Sequence, residues 1–333
     1  METRKVQVTG GSTFTVSIPK GWATENGIEA GEKVEFHPEG DSLLLSPRTG
    51  EETVEGTVDI SDLEGPQLTR TVFTLYVSGF DIINLEATRV TPDQRRTIRD
   101  ATQGLVGLEV IEETGDRVVL QDLLDSSELS IHNAITRMRL VSITMLQDAV
   151  TALTENDDDL ATDVIERDDD VDRLWFMISR VFRSALRNPS TAADIGLPRE
   201  TCFDYHSSAR QLERVADHAA KIGQFTREIE DVPDEVSEAI TDLHEEAADI
   251  VEMGMDALLE EDGTKATELA NETRERVREM DKHTRKVDDL IRELDAQRAQ
   301  SLSLIVDSLS RSADYGGNIA ETALQKAAPR PEN

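Results

Sequence analysis

The apolar positions fall into three regimes along the chain. At the start they alternate: Val6 and Val8 with Lys5, Gln7 and Thr9, then Phe14, Val16 and Ile18 with Thr13, Thr15 and Ser17, with Gly10-Gly11 between them. Period two around a glycine pair predicts a hairpin with one apolar face. Pro19 ends it and opens a short helix from Lys20 to about Asn26. After Gly27 and Gly31 a second hairpin is expected, Lys33–His37 and Leu43–Leu45 around a turn at Pro38–Asp41. Four short strands about one short helix bury too little surface to stand alone, so this unit calls for a partner chain.

Residues 51–125 read as a small α/β module acting as connector or sensor. A helix is expected at Gln67–Val77, a strand at Ile82–Leu85, and a second helix from Pro92 capped by Thr91. Strands at Leu108–Glu112 and Arg117–Leu120 then flank the turn Thr114-Gly115-Asp116. From about Ser126 the period becomes helical. Ile131, Ile135, Met138, Ser142, Met145, Ala149 and Leu153 step by three and four along one face. Asn156–Asp159 breaks that helix and a second runs to Arg187. A loop from Asn188 to Pro198 precedes a third helix, Glu200–Ile229. Pro233 resets the pattern: a helix to Glu260, a break at Asp262-Gly263, and two more helices to about Lys326. Three long helices followed by three long helices predict tandem antiparallel bundles. The expected domains are therefore 1–48, 49–125, 126–231 and 232–333.

Composition changes the picture through charge. Of 333 residues 68 are acidic and 35 are Lys or Arg, a formal charge of −33. Such a surface resembles that of salt-adapted proteins, in which dense carboxylates keep the chain hydrated, so acidity by itself names no partner. Residues 1–50 carry only −2 of that total, and residues 1–24 carry +2. One cysteine, Cys202, excludes a disulfide framework and a cysteine zinc cluster. No apolar run is long enough to span a bilayer and the first residues form no signal peptide, so a cytoplasmic protein is expected.

Two segments carry the chemistry. Glu213–Ile222 in the third helix aligns with Ser310–Ile319 in the sixth, with four of ten positions identical. Ala216, Ala220 and Gly223 form a small-residue strip matched by Ala313, Gly317 and Ala320, which predicts a close helix–helix seam. This stretch, its copy and the helical triplets resemble the PhoU family of phosphate-uptake regulators. That resemblance implies two three-helix bundles and carboxylate–xxx–Asp pairs binding metal on a bundle face. The matching residues are Asp168, Asp172, Glu213 and Asp217, an all-oxygen set suited to Mg²⁺, Mn²⁺, Ca²⁺ or iron. Spacing alone says little, since this acid content gives about 13 such pairs by chance. In the second repeat Ser310 replaces the Glu, and Thr273 and Val277 stand at the positions of Asp168 and Asp172. Only Asp314 remains there.

Thr13–Lys20, followed by Gly27–Val34, resembles the AbrB/MazE/SpoVT DNA-binding superfamily. The resemblance implies a swapped-hairpin β-barrel formed by two chains, with Arg4, Lys5, Lys20 and Arg48 as phosphate contacts. The bland alternative is a dimerisation barrel with incidental bases.

Catalytic signals are poor. Ser17-Ile18-Pro19-Lys20 has S-x-x-K spacing but lies on a strand without the companion motifs, and Thr9-Gly10-Gly11-Ser12 lacks a P-loop ending. The six histidines show no HExxH spacing, and His218 reads as a seam residue rather than a ligand. The two resemblances together imply a multidomain, non-enzymatic homodimer that regulates phosphate homeostasis by binding DNA. The competing readings are a regulator seated on an ABC phosphate transporter, its head only a dimer clamp, and a metal-storage or metal-dependent hydrolytic module.

Overall fold

The computed structural model describes residues 3–39, 42–47, 53–124, 130–188, 191, 195–229 and 231–329. They divide into two compact units, residues 1–53 and 54–333.

The first unit has two separate antiparallel hairpins. β1 (Gln7–Thr9) pairs β2 (Thr13–Thr15), setting Val8 opposite Phe14. α1 (Lys20–Glu25) follows Pro19, and β3 (Val34–Glu39) pairs β4 (Ser42–Pro47), with Phe36 opposite Leu45. Gly10 and Gly11 turn the first hairpin at φ of 64° and 80°, which only glycine adopts cheaply. None of the described side chains in this unit is buried, and Val6, Val8, Phe14, Val16, Phe36 and Leu43 are all exposed.

The second unit opens with a four-stranded sheet in the order β5-β6-β8-β7. Its strands are β5 (Glu55–Asp59), β6 (Ile82–Glu86), β7 (Leu108–Glu113) and β8 (Arg117–Asp122). α2 (Gly65–Val77) crosses from β5 to its parallel neighbour β6, and the other pairings are antiparallel. α3 (Pro92–Gln103) begins with a capping box between Thr91 and Gln94. The buried Gln94 amide also donates to the carbonyls of Ile60 and Leu63 at 2.8 and 3.0 Å. Leu68, Val72, Tyr76, Ile83, Leu85, Ile98 and Leu120 form the core of this module.

Six helices follow: α4 (Ile131–Glu155), α5 (Asp158–Arg187), α6 (Arg199–Thr226), α7 (Asp234–Leu259), α8 (Gly263–Ile291) and α9 (Ala296–Ala327). All seven apolar-face positions of α4, from Ile131 to Leu153, are buried. Its end is set chemically. Asn156 takes the left-handed conformation at φ 56°, and Asp157 then accepts from the Leu160 N–H as the cap of α5. Asp262 and Asp295 cap α8 and α9 in the same way. The third helix of each triplet is central: α6 packs on α4 and α5, α9 on α7 and α8, and α6 and α9 on each other. One apolar core runs through both bundles.

Small residues make these approaches possible. A Cβ on Gly223 would lie 2.9 Å from the Ala161 carbonyl of α5, and one on Gly254 would lie 2.5 Å from the Gly316 carbonyl. The sheet module is tied to the first bundle by Arg180 of α5, whose side chain is 8% exposed. Its guanidinium donates to the carbonyls of Tyr76 and Phe80 at 2.8 and 2.9 Å, to Asp81 at 2.8 Å and to Asp122 at 2.7 Å. Phe73 and Phe176 meet edge to face beside it, with ring centroids 4.7 Å apart.

A Cβ on Gly316 would meet the α7 backbone at Ile250 and Val251 within 2.9 Å. Gly316→Ala should therefore destabilise the helical region by about 1–3 kcal/mol, read as an earlier urea transition in far-UV circular dichroism. An unchanged midpoint would mean that α7 and α9 do not approach this closely.

Candidate functional site

α5 and α6 run antiparallel, and the Gly223–Ala161 contact fixes their separation. On this pair, one helical turn separates Asp168 from Asp172 and Glu213 from Asp217. The two carboxylate pairs act on one another across the helices. Burial first, then the charges of Asp172, Asp217 and Asp169, push the Asp168 carboxyl up to about 7, with Lys221 opposing. Burial, Asp217 and Asp169 push Asp172 up to about 6 against Arg210. Burial, then Asp217, with Asp172 and Asp168 adding to it, raises Glu213 to about 7, again against Arg210. Arg210 engages one oxygen of Glu213; the other, Oε2, is buried without a partner, as is Oδ1 of Asp168.

Chemically this is a crowded, hard, all-oxygen donor set short of positive charge, which fits a divalent cation or iron. Orphaned buried carboxylate oxygens are the groups a bound cation would satisfy. Among the described residues no three His, Cys, Asp or Glu side chains already converge into a closed shell. A cation here would have to draw the carboxylates inward.

The structure does not bring Asp314 to this cluster. It sits exposed on α9, 3.7 Å from Arg311. Around it the second repeat is filled in: the Thr273 hydroxyl donates to the Leu269 carbonyl, and Val277 packs within 3.0 Å of a Cβ built on Gly317. His218 lies in the α6–α9 seam, its Nε2 3.4 Å from the Tyr315 hydroxyl, and burial lowers its pKa. Of the cations that temper the carboxylates, Lys221 lies within the Glu213–Ile222 stretch, where the resemblance gives it no role, and Arg210 lies just before that stretch.

In the first unit Arg4 and Lys5 precede β1 and Lys20 opens α1, all three exposed. Lys5 and Lys20 form no ion pair with a described residue. Arg48 lies outside the described residues.

Comparisons with known proteins agree with this layout. The PhoU domain family matches residues 135–226 and 240–323. The family described as antidote-toxin recognition MazE, bacterial antitoxin, matches residues 7–53. Among solved structures, PhoU from Pseudomonas aeruginosa is 20% identical, covers 60% of this chain and 96% of its own, and has a TM-score of 0.51, which shows the fold of the helical region. The phosphate transport system regulatory protein PhoU from Streptococcus pneumoniae is 18% identical, with 58% and 91% coverage and a TM-score of 0.47. No curated protein matches the chain.

Between the ordinary carboxylate range and about 7, the folded chain holds protons on Asp168, Asp172 and Glu213 that the unfolded chain releases. Metal-free protein should therefore lose stability as pH rises through that window. Asp168→Asn combined with Glu213→Gln should flatten this dependence and stabilise the metal-free chain above about pH 7 by about 1–3 kcal/mol. Denaturant titrations at several pH values measure both; equal slopes for parent and variant would refute the coupling.

Proposed function

The chain belongs to the PhoU family, and from that premise we propose that it regulates phosphate uptake at the level of transcription. In this reading the MazE-like unit binds DNA and the helical bundles sense phosphate status. The observation that carries it is the joining, in one chain of charge −33, of PhoU repeats to an N-terminal unit with Glu2 as the only acid before Glu25 and with exposed Arg4, Lys5 and Lys20. Phosphate contacts need such an island of positive charge, and their salt sensitivity calls for groove or shape readout beside them. Pairing of two copies through the hairpins is part of the proposal. It is supported by the unit's lack of any buried described side chain and by the apolar row Val6, Val8, Phe14 and Val16 left in water.

The transporter-bound reading draws on the same apolar row, because a hairpin dimer clamp would expose it equally in one chain. DNA binding separates the two. Full-length protein should bind upstream regions of phosphate-transport genes in mobility-shift assays. Charge reversal at Arg4, Lys5 and Lys20 should abolish binding, and single neutral substitutions should each lower the salt slope by about one. No specific binding by the parent would favour the transporter-bound regulator, and specific binding that survives the triple reversal would overturn the assignment of Arg4, Lys5 and Lys20 as the phosphate contacts.

Asp168, Asp172, Glu213 and Asp217 would hold the metal, which when bound would supply positive charge to oxygens that otherwise repel. Mn²⁺ or Fe²⁺ retained through desalting, measured by elemental analysis, should be lost in Asp168→Asn with Glu213→Gln and kept in Asp314→Asn. Equal retention by all three proteins would place any metal elsewhere.

A further inference from the structure

The second half of α5 is one of the carboxylate-free stretches of this acid-rich chain, with Gly65–Phe80 and Ile131–Gln147, and has the most arginines of the three. From Arg173 to Arg187 it carries four arginines and no carboxylate. Arg180 is consumed by the sheet module and Arg187 donates to the Ser78 carbonyl. Arg183 is exposed and forms no ion pair with a described residue.

Around it lies an aromatic layer. The His206 ring stacks on Phe182 with centroids 4.6 Å apart and tilts against Trp175 at 4.7 Å, and Arg210 lies 5.3 Å over the Trp175 ring. Burial, then the charges of Arg183 and Arg210, hold His206 neutral, with its pKa lowered to about 4. Phe203, 6.0 Å from Phe182, caps the layer and is 51% exposed, and Leu186, one turn beyond Phe182, is 52% exposed. Among the described phenylalanines, tyrosines and tryptophans of this unit Phe203 alone is exposed.

Arginine with aromatic side chains is the composition that marks the centre of protein–protein interfaces, and exposed Glu200, one turn before Phe203 on α6, stands at the edge of this layer. We propose that Phe203, Leu186 and Arg183 form a docking surface for an acidic segment of a partner protein, one that sets an apolar anchor between carboxylates. Charge complementarity selects this occupant. A second copy using the same face about a twofold axis would set Arg183 against Arg183. The proposal does not depend on whether the N-terminal unit binds DNA.

The test uses the full chain and a dye-labelled amphipathic helical peptide with Leu and Phe on one face and Glu on the other. Long-range repulsion from a chain of charge −33 opposes this peptide, so saturable binding by fluorescence anisotropy reports the patch rather than general attraction. Arg183→Glu, Phe203→Ser and Leu186→Ser should each weaken binding at least about tenfold, while Leu304→Ser, an exposed apolar site on α9, should not. Circular dichroism melts confirm that these surface variants fold. The proposal fails if the peptide does not saturate or if binding survives Arg183→Glu. It also fails if Phe203→Ser instead dissociates a larger assembly in sedimentation, or if phosphatidylglycerol vesicles bind through these residues and the peptide does not.

Discussion

Close approach of helix backbones is the constraint from which the rest of the helical region follows. Where Gly223 meets the Ala161 carbonyl, and Gly254 meets Gly316, no side chain separates the helices. Contact of this kind fixes register as well as distance, because ridges interlock only where small residues leave room. On α5 and α6 that register sets Asp168 and Asp172 against Glu213 and Asp217. Their mutual repulsion is thus a product of packing: a wider helix pair would let water screen the same four carboxylates and leave them ordinary. The second bundle keeps the small-residue seams but puts Thr273 and Val277 where the acids stand in the first. The packing is duplicated and the electrostatics are not.

Much of this was legible because its causes are local. The buried face of α4 is written in seven positions of one period, and the Asn156-Asp157 break is a left-handed residue followed by a cap. Thr91 and Gln94 announce α3, and glycine pairs announce the first hairpin. What escaped reading depends on partners distant in sequence. β5 has Val58 as its only large apolar residue and exists because it pairs in parallel with β6 across α2. Arg180 looks like any solvent-facing arginine on an amphipathic helix until Tyr76, Phe80, Asp81 and Asp122 close around it. Among the acids, spacing could not tell Asp168 and Asp172 from the other pairs that abundance supplies; the family resemblance singles them out and leaves Asp314 alone in the second repeat. The interhelical register is the physical feature that spacing lacks.

Charge is distributed with the same dependence on place. Carboxylates are abundant but uneven, and Thr3–Thr24, Gly65–Phe80, Ile131–Gln147 and Arg173–Arg187 contain none. The arginines of the last stretch differ in their surroundings. On α5 Arg180 is buried as a bridge, Arg187 donates to a turn carbonyl, Arg173 lies 3.8 Å from Asp170, and Arg183 faces water.

The Arg180 bridge also bears on how freely such proteins can be assembled from parts. Its guanidinium is almost dry, and four of its five N–H groups are spent on acceptors from the sheet module. A bundle transplanted from a relative without an arginine at this turn would leave the Asp122 carboxylate buried and uncompensated, at a cost of several kcal/mol. Sheet module and first bundle are therefore coupled in this chain, and a chimera would keep the bridge intact only with a crossover outside residues 76–180.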